Sequence, residues 1–363
     1  MGNRSTKLLD RDNGYPPGWT PAVPNPSGHQ QRRAGRRRAL GAGAVVVAVL
    51  AVSILIGTLA RQPGDVSAGR SESSAAQRNS APGSAEDVGP VAVITADATC
   101  SEWSVVRGPV VAAQTAAWTR RDPSLPRQSW DPARARPFDT MGAALKGASD
   151  QSAALARRTP HRAMRELYST FTSYGREYAA ALPSYQPAND LLVRTALAAF
   201  DAVTNVCAVA DGSSWAILRA QVVPQVPVPT APAPMGDLDR PARFLAQPAA
   251  PCTDWVLADA ALRAQTRAWS AVDPALTSDE WSVEQRAAIE RTAHVGTQQA
   301  DDMEAWGRAA GNPVFEDLAV LGAQYFRAYD LGVPTYRPGD SAFARVGFDM
   351  SGLIAAACEA SRT

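Results

Sequence analysis

Cys100-Ser101-Glu102-Trp103 recurs 152 residues later as Cys252-Thr253-Asp254-Trp255, and this match indicates an internal duplication. At an offset of 151 residues the matches continue with Gln114–Trp118 and Gln265–Trp269, Trp130 and Trp281, Pro183–Pro187 and Pro334–Pro338, and Cys207 and Cys358. Six of the nine tryptophans thereby form three aligned pairs, which a biased composition would hardly produce. The sequence therefore predicts two homologous repeats, over residues 100–210 and 252–363.

The four cysteines allow three pairings, and the repeats favour one of them. Each repeat begins with one cysteine and ends with another, so we predict the disulfides Cys100–Cys207 and Cys252–Cys358. A crossed pairing would instead tie the two repeats together. In a chain-entropy model a disulfide closing a loop of about 100 residues stabilises the fold by roughly 4 to 5 kcal/mol.

The periodicity inside the repeats is helical and predicts an all-α fold. Apolar residues recur every three to five positions at Phe343, Val346, Met350, Leu353 and Cys358, as in an amphipathic helix. We predict two four-helix-bundle-like repeats, with helices over 101–119, 139–158, 161–182 and 189–210, and over 253–271, 278–310, 313–331 and 340–360.

Helix-end signals support these boundaries. Asn189 and Asp340 stand at the expected start of the last helix of each repeat, and Thr277 with Glu280 forms a capping-box pattern. Gly108-Pro109 predicts a kink in the first helix, because proline removes a backbone donor.

Ala39 to Ala60 is a run of 22 residues without a charge, and we predict that it is a transmembrane helix. At about 1.5 Å per residue it would span roughly 33 Å, enough for a hydrocarbon core of about 30 Å. Five arginines within residues 32–38 precede it, so the positive-inside rule keeps the N-terminus in the cytoplasm. The prediction is a single-pass plasma-membrane protein whose C-terminal domains are extracytoplasmic.

The sequence allows two other interpretations of this segment. A signal peptide could be cleaved after Thr58-Leu59-Ala60, and Arg37-Arg38 could belong to a twin-arginine signal. An uncleaved anchor is favoured, because the leader would be unusually long and the apolar run exceeds the roughly 7 to 15 residues of a typical signal core. All four cysteines follow the segment, which agrees with disulfides formed in an oxidising compartment outside the plasma membrane.

The remaining segments complete the predicted organisation. Residues 1–38 are predicted to be a disordered cytoplasmic tail. Residues 61–99, rich in serine, alanine and glycine, are predicted to be a flexible linker, and residues 211–251 a stiffer proline-rich linker.

Composition and charge exclude several classes of protein. A chain of 363 residues with 45% hydrophobic and 20% charged residues is neither wholly disordered nor collagen-like. The net charge of +1 divides into +6 for residues 1–38 and −5 for the rest, and the two repeats carry +4 over 100–210 and −8 over 252–360. An exported domain without a basic excess is not expected to bind nucleic acid.

The densest basic cluster is a candidate surface for an anionic partner, and consists of Arg157, Arg158, His161, Arg162 and Arg165. Such a cluster could face anionic lipids or envelope glycopolymers, or it could dock against the acidic second repeat. An ordinary solvated arginine face is the simplest alternative.

The paired tryptophans are the other candidate site, and consist of Trp103, Trp118, Trp130, Trp255, Trp269 and Trp281. They could line an apolar ligand cavity between helices. Common core packing is favoured, because aromatic residues at helical spacing are usually buried against neighbouring helices.

Reactive chemistry has little support in the sequence. We find no zinc-ligand spacing, phosphate loop or nucleophile elbow, and expect no catalytic residue, metal or cofactor. The sequence indicates a membrane-anchored extracytoplasmic binding or scaffolding protein of the bacterial cell envelope, whose partners are the plasma membrane and envelope proteins, anionic lipids or glycopolymers. The alternative is an exported enzyme or a metal- or ligand-binding helical bundle with a pocket near His161 or His294.

Overall fold

The computed structural model of the chain describes residues 82–212 and 214–362, and over these residues the protein is helical without β-strands. The predicted all-α fold is confirmed for this part of the chain. The predicted cytoplasmic tail (1–38) and transmembrane helix (39–60) lie outside the described residues, which belong to one compact unit.

The first half of the body, residues 100–210, begins with a helix that is broken twice. Its elements are α1 (Cys100–Val106), α2 (Gly108–Ala113), α3 (Ala116–Thr119), α4 (Pro132–Arg158), α5 (Arg162–Ala181) and α6 (Asp190–Ala210). The predicted kink at Gly108-Pro109 is a break at Arg107, and the predicted helix 101–119 breaks again at Gln114. The Thr115 hydroxyl accepts from the Trp118 amide and so starts α3.

The second half, residues 252–360, follows the helix α7 (Ser214–Val222). Its elements are α8 (Cys252–Gln265), the 3₁₀ helix Arg267–Ala271, α9 (Val283–Ala309), α10 (Pro313–Gly332) and α11 (Ser341–Ala360). The starts of α4 and α9, of α5 and α10, and of α6 and α11 are each 151 residues apart. This is the offset that predicts a duplication in the sequence.

Two helix starts differ from the predictions, each for a local reason. α4 begins at Pro132 rather than at residue 139, because the Asp131 carboxylate accepts from the Arg134 amide and proline suits the first helical position. The helix then continues through Pro137 with the loss of one backbone hydrogen bond. Thr277 and Glu280 do form a hydrogen-bonded turn, but the capping box that starts α9 consists of Ser282 and Gln285.

The cysteines pair as predicted, Cys100 with Cys207 and Cys252 with Cys358. The Cα atoms are 5.2 Å apart in the first pair and 5.3 Å in the second, within the ordinary range for a disulfide. Each bond joins the first helix of a half to its last helix.

The two halves share one hydrophobic core. Helices α6 and α11 pack against each other along their length, and their apolar residues belong to the same buried cluster as those of α5 and α10. Asn205 on α6 donates to Asp349 on α11 at 2.7 Å, and Arg194 on α6 pairs with Glu359 on α11 at 3.1 Å. The sequence leaves open whether the repeats pack together, and the structure shows that they do.

Two non-helical segments also bridge the halves, which we name the first strap (residues 82–99) and the second strap (residues 223–251). The linker prediction is wrong for the first strap, because Val91 and Ile94 are buried in the core. In the predicted linker 211–251, α7 forms, and the second strap buries Val226 and Leu245 against the helices. Apolar side chains at irregular spacing hold both straps on the body.

Within the described residues, Pro187–Ala210 is long and apolar enough to cross a membrane by length and composition. Most of this segment is buried inside the protein, and it contains α6. Its apolar composition is therefore accounted for by its position at the centre of the core.

Candidate functional site

The most concentrated group of buried charges lies where the N-terminal ends of α5 and α10 meet. Arg162 at the start of α5 donates from Nε to Asp317 Oδ2 at 2.7 Å and from Nη2 to Asp317 Oδ1 at 3.0 Å. The side chains are only 2% and 1% exposed, so the charges of this fork-shaped pair are almost fully removed from water. The pair joins the two halves of the body.

Arg162 also holds the first strap. Its backbone amide donates to Asp87 Oδ2 at 2.6 Å, and its guanidinium donates to the carbonyl oxygens of Asp87 and of Gly89. One arginine therefore connects α5, α10 and the segment that follows residue 81.

Arg165, one turn further along α5, makes the corresponding contacts with the second strap. It donates to the Met235 sulfur at 2.9 Å and to the Ala233 carbonyl at 3.4 Å, and it pairs with Glu166 at 3.2 Å. The Glu166 carboxyl is buried, and Asp317 is a second carboxylate close to it. Burial, followed by the charge of Asp317, raises the pKa of Glu166 well above its usual range.

Glu166 and Asp317 occupy equivalent positions of their helices, because they are 151 residues apart. Their neighbours Arg165 and Glu316 are equivalent too but carry opposite charges. The equivalent of Arg162 in α10 is Pro313, so the ion pair with Asp317 uses an arginine of the first half alone.

The candidate anionic-partner cluster is largely used inside the protein. Arg162 and Arg165 are buried, so they do not form an exposed basic face. Arg157 pairs with Asp239 of the second strap at 2.5 Å, and Arg158 pairs with Glu102 at 2.5 Å. Of the partners considered for this cluster, the structure shows one, the acidic second half, through Arg162.

His161 and His294, the histidines considered for catalysis or metal binding, lie far apart along the chain and in different settings. The His161 ring contacts the Ala96 carbonyl of the first strap through Nε2 at 2.9 Å. His294 is exposed on α9. No group of three or more potential metal ligands occurs within the described residues.

The six aligned tryptophans lie in or beside the core. Trp103, Trp118, Trp255, Trp269 and Trp281 are buried, and Trp130 is half-buried. Trp103 packs against Tyr168, Phe171 and Phe200, with ring centroids 5.4 to 5.6 Å apart. In the second half, the Trp255 indole donates to the Ser351 carbonyl at 2.9 Å and its ring packs on Phe315.

A second pair of carboxyl groups, the half-buried Asp201 and the buried Asp349, lies between α6 and α11. Burial raises the pKa of Asp349 to about 7, while the hydrogen bond from Asn205 opposes that rise. Burial and the neighbouring charge of Asp349 raise the pKa of Asp201 well above its usual range. Both carboxyl groups therefore lie at the contact between the halves with raised pKa values.

The sequence does not predict the strap contacts or the acidic partners of the arginines. Asp87, Glu166 and Asp317 stand in no motif, and their roles depend on the packing of distant segments. The one available signal was the opposite net charge of the two repeats, +4 and −8. Chemically, the site can hold helices and straps together, because its charged side chains are paired with one another.

The comparisons with known proteins find that the chain is similar to mycobacterial proteins. The family model described as mycobacterial ESX-1 associated protein matches residues 82–362, which includes both halves and both straps. An uncharacterized protein of Mycolicibacterium smegmatis (strain MKD8) is 36% identical over 342 residues, which covers 94% of this chain and 89% of the relative. Coverage of 94% also requires that the alignment extends into the residues before Pro82. No solved structure matches the chain significantly.

Proposed function

The chain belongs to the family of mycobacterial ESX-1 associated proteins, and on this basis we propose that it is a membrane-anchored scaffolding or binding protein of the cell envelope that serves the ESX-1 secretion system. The observation that carries the proposal is the extent of the family match, which includes the whole described body. In this proposal the N-terminus is cytoplasmic and the body is extracytoplasmic.

Three features of the chain support the membrane anchor and the compartment. Ala39–Ala60 has no charged residue, and five arginines precede it within residues 32–38. The cysteines of the body form two disulfides, a state that persists in oxidising compartments. The similarity to the mycobacterial relative extends into this N-terminal part of the chain.

The organisation of the body supports a scaffolding role. The halves share a core, and their ion pairs and straps fix them relative to each other. The equivalent helix starts, 151 residues apart, support a duplicated domain whose two copies have diverged in charge. Buried, mutually paired arginines and carboxylates serve cohesion, and a rigid body of this kind can present its outer surface to envelope proteins.

A secretion assay in a mycobacterial host tests this proposal. The gene is deleted, and export of ESX-1 substrates is measured with and without the full chain supplied in trans. Val47→Arg with Ile54→Arg is expected to abolish rescue, because each charge at the centre of a transmembrane helix costs about 2.5 to 3.5 kcal/mol. The matched control, Val47→Leu with Ile54→Leu, keeps the segment apolar and is expected to restore export.

Membrane fractionation of the same strains gives an independent readout. The full chain and the leucine variant are expected in the membrane fraction, and the arginine variant is not. Normal substrate export in the deletion strain would contradict the link to the secretion system. Full rescue of export by an arginine variant that is absent from the membrane fraction would contradict the proposed anchor.

A further inference from the structure

Helix α7 (Ser214–Val222) has its aliphatic side chains on the exposed face and its charged side chain on the buried face. This is the reverse of an ordinary amphipathic helix. Its charged residue, Arg219, is only 9% exposed and faces the protein. Its aliphatic residues Ile217, Leu218 and Val222 are 44%, 63% and 63% exposed. Leu218 and Val222 are four positions apart, so they lie on one face of the helix.

The contacts of Arg219 explain why the aliphatic face of α7 points towards solvent. Its guanidinium donates from Nε to Asp340 Oδ1 at 3.0 Å and from Nη2 to Asp340 Oδ2 at 2.6 Å. Nη2 also donates to the Thr335 carbonyl at 2.9 Å. Gly332 makes room for it, because a Cβ atom there would lie 3.0 Å from Nη1. A buried bidentate ion pair therefore fixes α7 with its aliphatic face outward.

The sequence around α7 is nearly free of charged residues. From Gly212 to Gly236 the sequence has one charged residue, which is the buried Arg219. Val228 in the same stretch is 58% exposed, and Leu331, next to Gly332, is 45% exposed. Exposed aliphatic side chains suit an apolar environment better than water.

The length of the preceding chain places a membrane within reach. Only 21 residues separate Ala60, the end of the uncharged run, from Pro82, where the described body begins. Fully extended, such a segment spans roughly 70 Å at about 3.3 Å per residue. A body tethered so closely meets the membrane surface at a high effective concentration, so a short aliphatic helix suffices for contact.

We propose that α7 is an interfacial helix, and that its Ile217, Leu218 and Val222 face docks into the outer leaflet of the membrane that holds the chain's own anchor. This inference rests on the anchor in the proposed function. The contact sets the orientation of the body relative to the membrane, since Arg219 fixes α7 to Thr335 and Asp340 between α10 and α11.

Fluorescence quenching of the full chain in vesicles tests the inference. Leu218→Cys is labelled with an environment-sensitive dye, and the chain is reconstituted in equal parts of phosphatidylcholine and phosphatidylglycerol with spin-labelled lipid added. The described part of the chain contains no free cysteine, and the sequence has only the four disulfide-bonded ones, so the new thiol takes the label. Val105→Cys on α1 and Val283→Cys on α9, at positions that are 74% and 80% exposed, are the matched controls.

The expected result is quenching at position 218 several times stronger than at positions 105 and 283. Ile217→Ser with Val222→Ser, added to the labelled Leu218→Cys chain, is expected to reduce the quenching to the control level without changing the thermal midpoint. Quenching at position 218 that does not exceed the quenching at the control positions would overturn the proposal. A protein that covers the α7 face in place of lipid would give this result. Failure of the anchor is distinguishable, because the chain would then not float with the vesicles at all.

Discussion

Arg162 and Asp317 are 155 residues apart in the sequence, yet they form a bidentate ion pair that is almost completely buried between the two halves of the body. The pair stands at the junction of α5, α10 and the first strap. Removing Asp317 takes the bidentate carboxylate from the buried Arg162, and removing Arg162 leaves the Asp317 charge buried beside Glu166. Removing both takes away both buried charges, and the Asp87 and Gly89 carbonyls then lose a donor. This asymmetry gives the first prediction.

Asp317→Leu is expected to lower the free energy of unfolding by about 3 to 5 kcal/mol, and Arg162→Met by a similar amount. The double variant is expected to be more stable than either single variant. Urea unfolding with the disulfides intact measures all three. Lys146→Ala, which breaks an exposed pair with Asp150 on α4, is the control and is expected to change stability by less than about 1 kcal/mol. Additive losses in the double variant would contradict the account of this pair.

The two disulfides are expected to contribute equally to the free energy of unfolding. They close segments with sequence separations of 107 and 106 residues, so the chain-entropy model assigns the same stabilisation to each. Cys100→Ala with Cys207→Ala, and Cys252→Ala with Cys358→Ala, are each expected to lower the unfolding free energy by about 2 to 5 kcal/mol. Peptide mapping without reduction checks the pairing, and a Cys100–Cys252 or Cys100–Cys358 bridge would refute it.

Tyr325 and Tyr174 provide a matched test of the hydrogen bonds that hold the first strap on the body. They lie 151 residues apart, but the Tyr325 hydroxyl hydrogen-bonds both the amide and the carbonyl of Ile94, each at 3.3 Å, while the buried Tyr174 hydroxyl has no hydrogen-bond partner. Tyr325→Phe is expected to cost about 1 to 3 kcal/mol, because it leaves buried backbone groups unpaired. Tyr174→Phe is expected to be neutral or stabilising.

Limited proteolysis gives a local readout of the same pair of variants. Tyr325→Phe is expected to increase cleavage within residues 82–99, and Tyr174→Phe is not. Equal effects of the two variants on stability and cleavage would mean that the hydroxyl of Tyr325 does not hold the strap.

Stability is expected to fall as the pH rises towards neutrality. Asp349 has a pKa of about 7 in the folded protein against an ordinary value of 3.8, so the folded state binds more protons between those values. The free energy of unfolding therefore decreases across this window, and the raised pKa values of Asp201 and Glu166 act in the same direction.

Thermal unfolding between about pH 5 and about pH 8 measures this dependence. Asp349→Asn is expected to make the thermal midpoint depend less on pH. Asp279→Asn is the control, because Asp279 is exposed and its hydrogen bond with Thr277 lowers its pKa, so it titrates below this window. A midpoint that rises with pH in the unmodified chain would refute the assignment.

Local signals in the sequence predicted the helices and disulfides, because those features depend on nearby residues or on the repeat. The starts of α5 and α6 lie within one residue of the prediction, and Cys207 pairs with Cys100 as the repeat requires. The predicted start of α4 at residue 139 is seven residues too late, because the Asp131 cap and Pro132 begin the helix earlier.

The contacts between distant segments could not be predicted in the same way. Ile94 contacts Tyr325 across 231 residues, and no periodicity connects the two. The sequence predicts Arg162 to be part of a surface for an anionic partner, but its position at the start of α5 places it against Asp317. The reverse orientation of α7 likewise depends on Asp340, more than a hundred residues further along the chain.

Labelling of single cysteines with a membrane-impermeant thiol reagent tests the proposed topology, on cells whose outer envelope is permeable and whose plasma membrane is intact. Ser27→Cys lies in the N-terminal tail, and Val283→Cys lies at an exposed position of α9. We expect labelling at 283 in intact cells and labelling at 27 only after the plasma membrane is opened. Labelling at 27 but not at 283 in intact cells, or protection of both positions until lysis, would contradict an anchored body outside the cytoplasm.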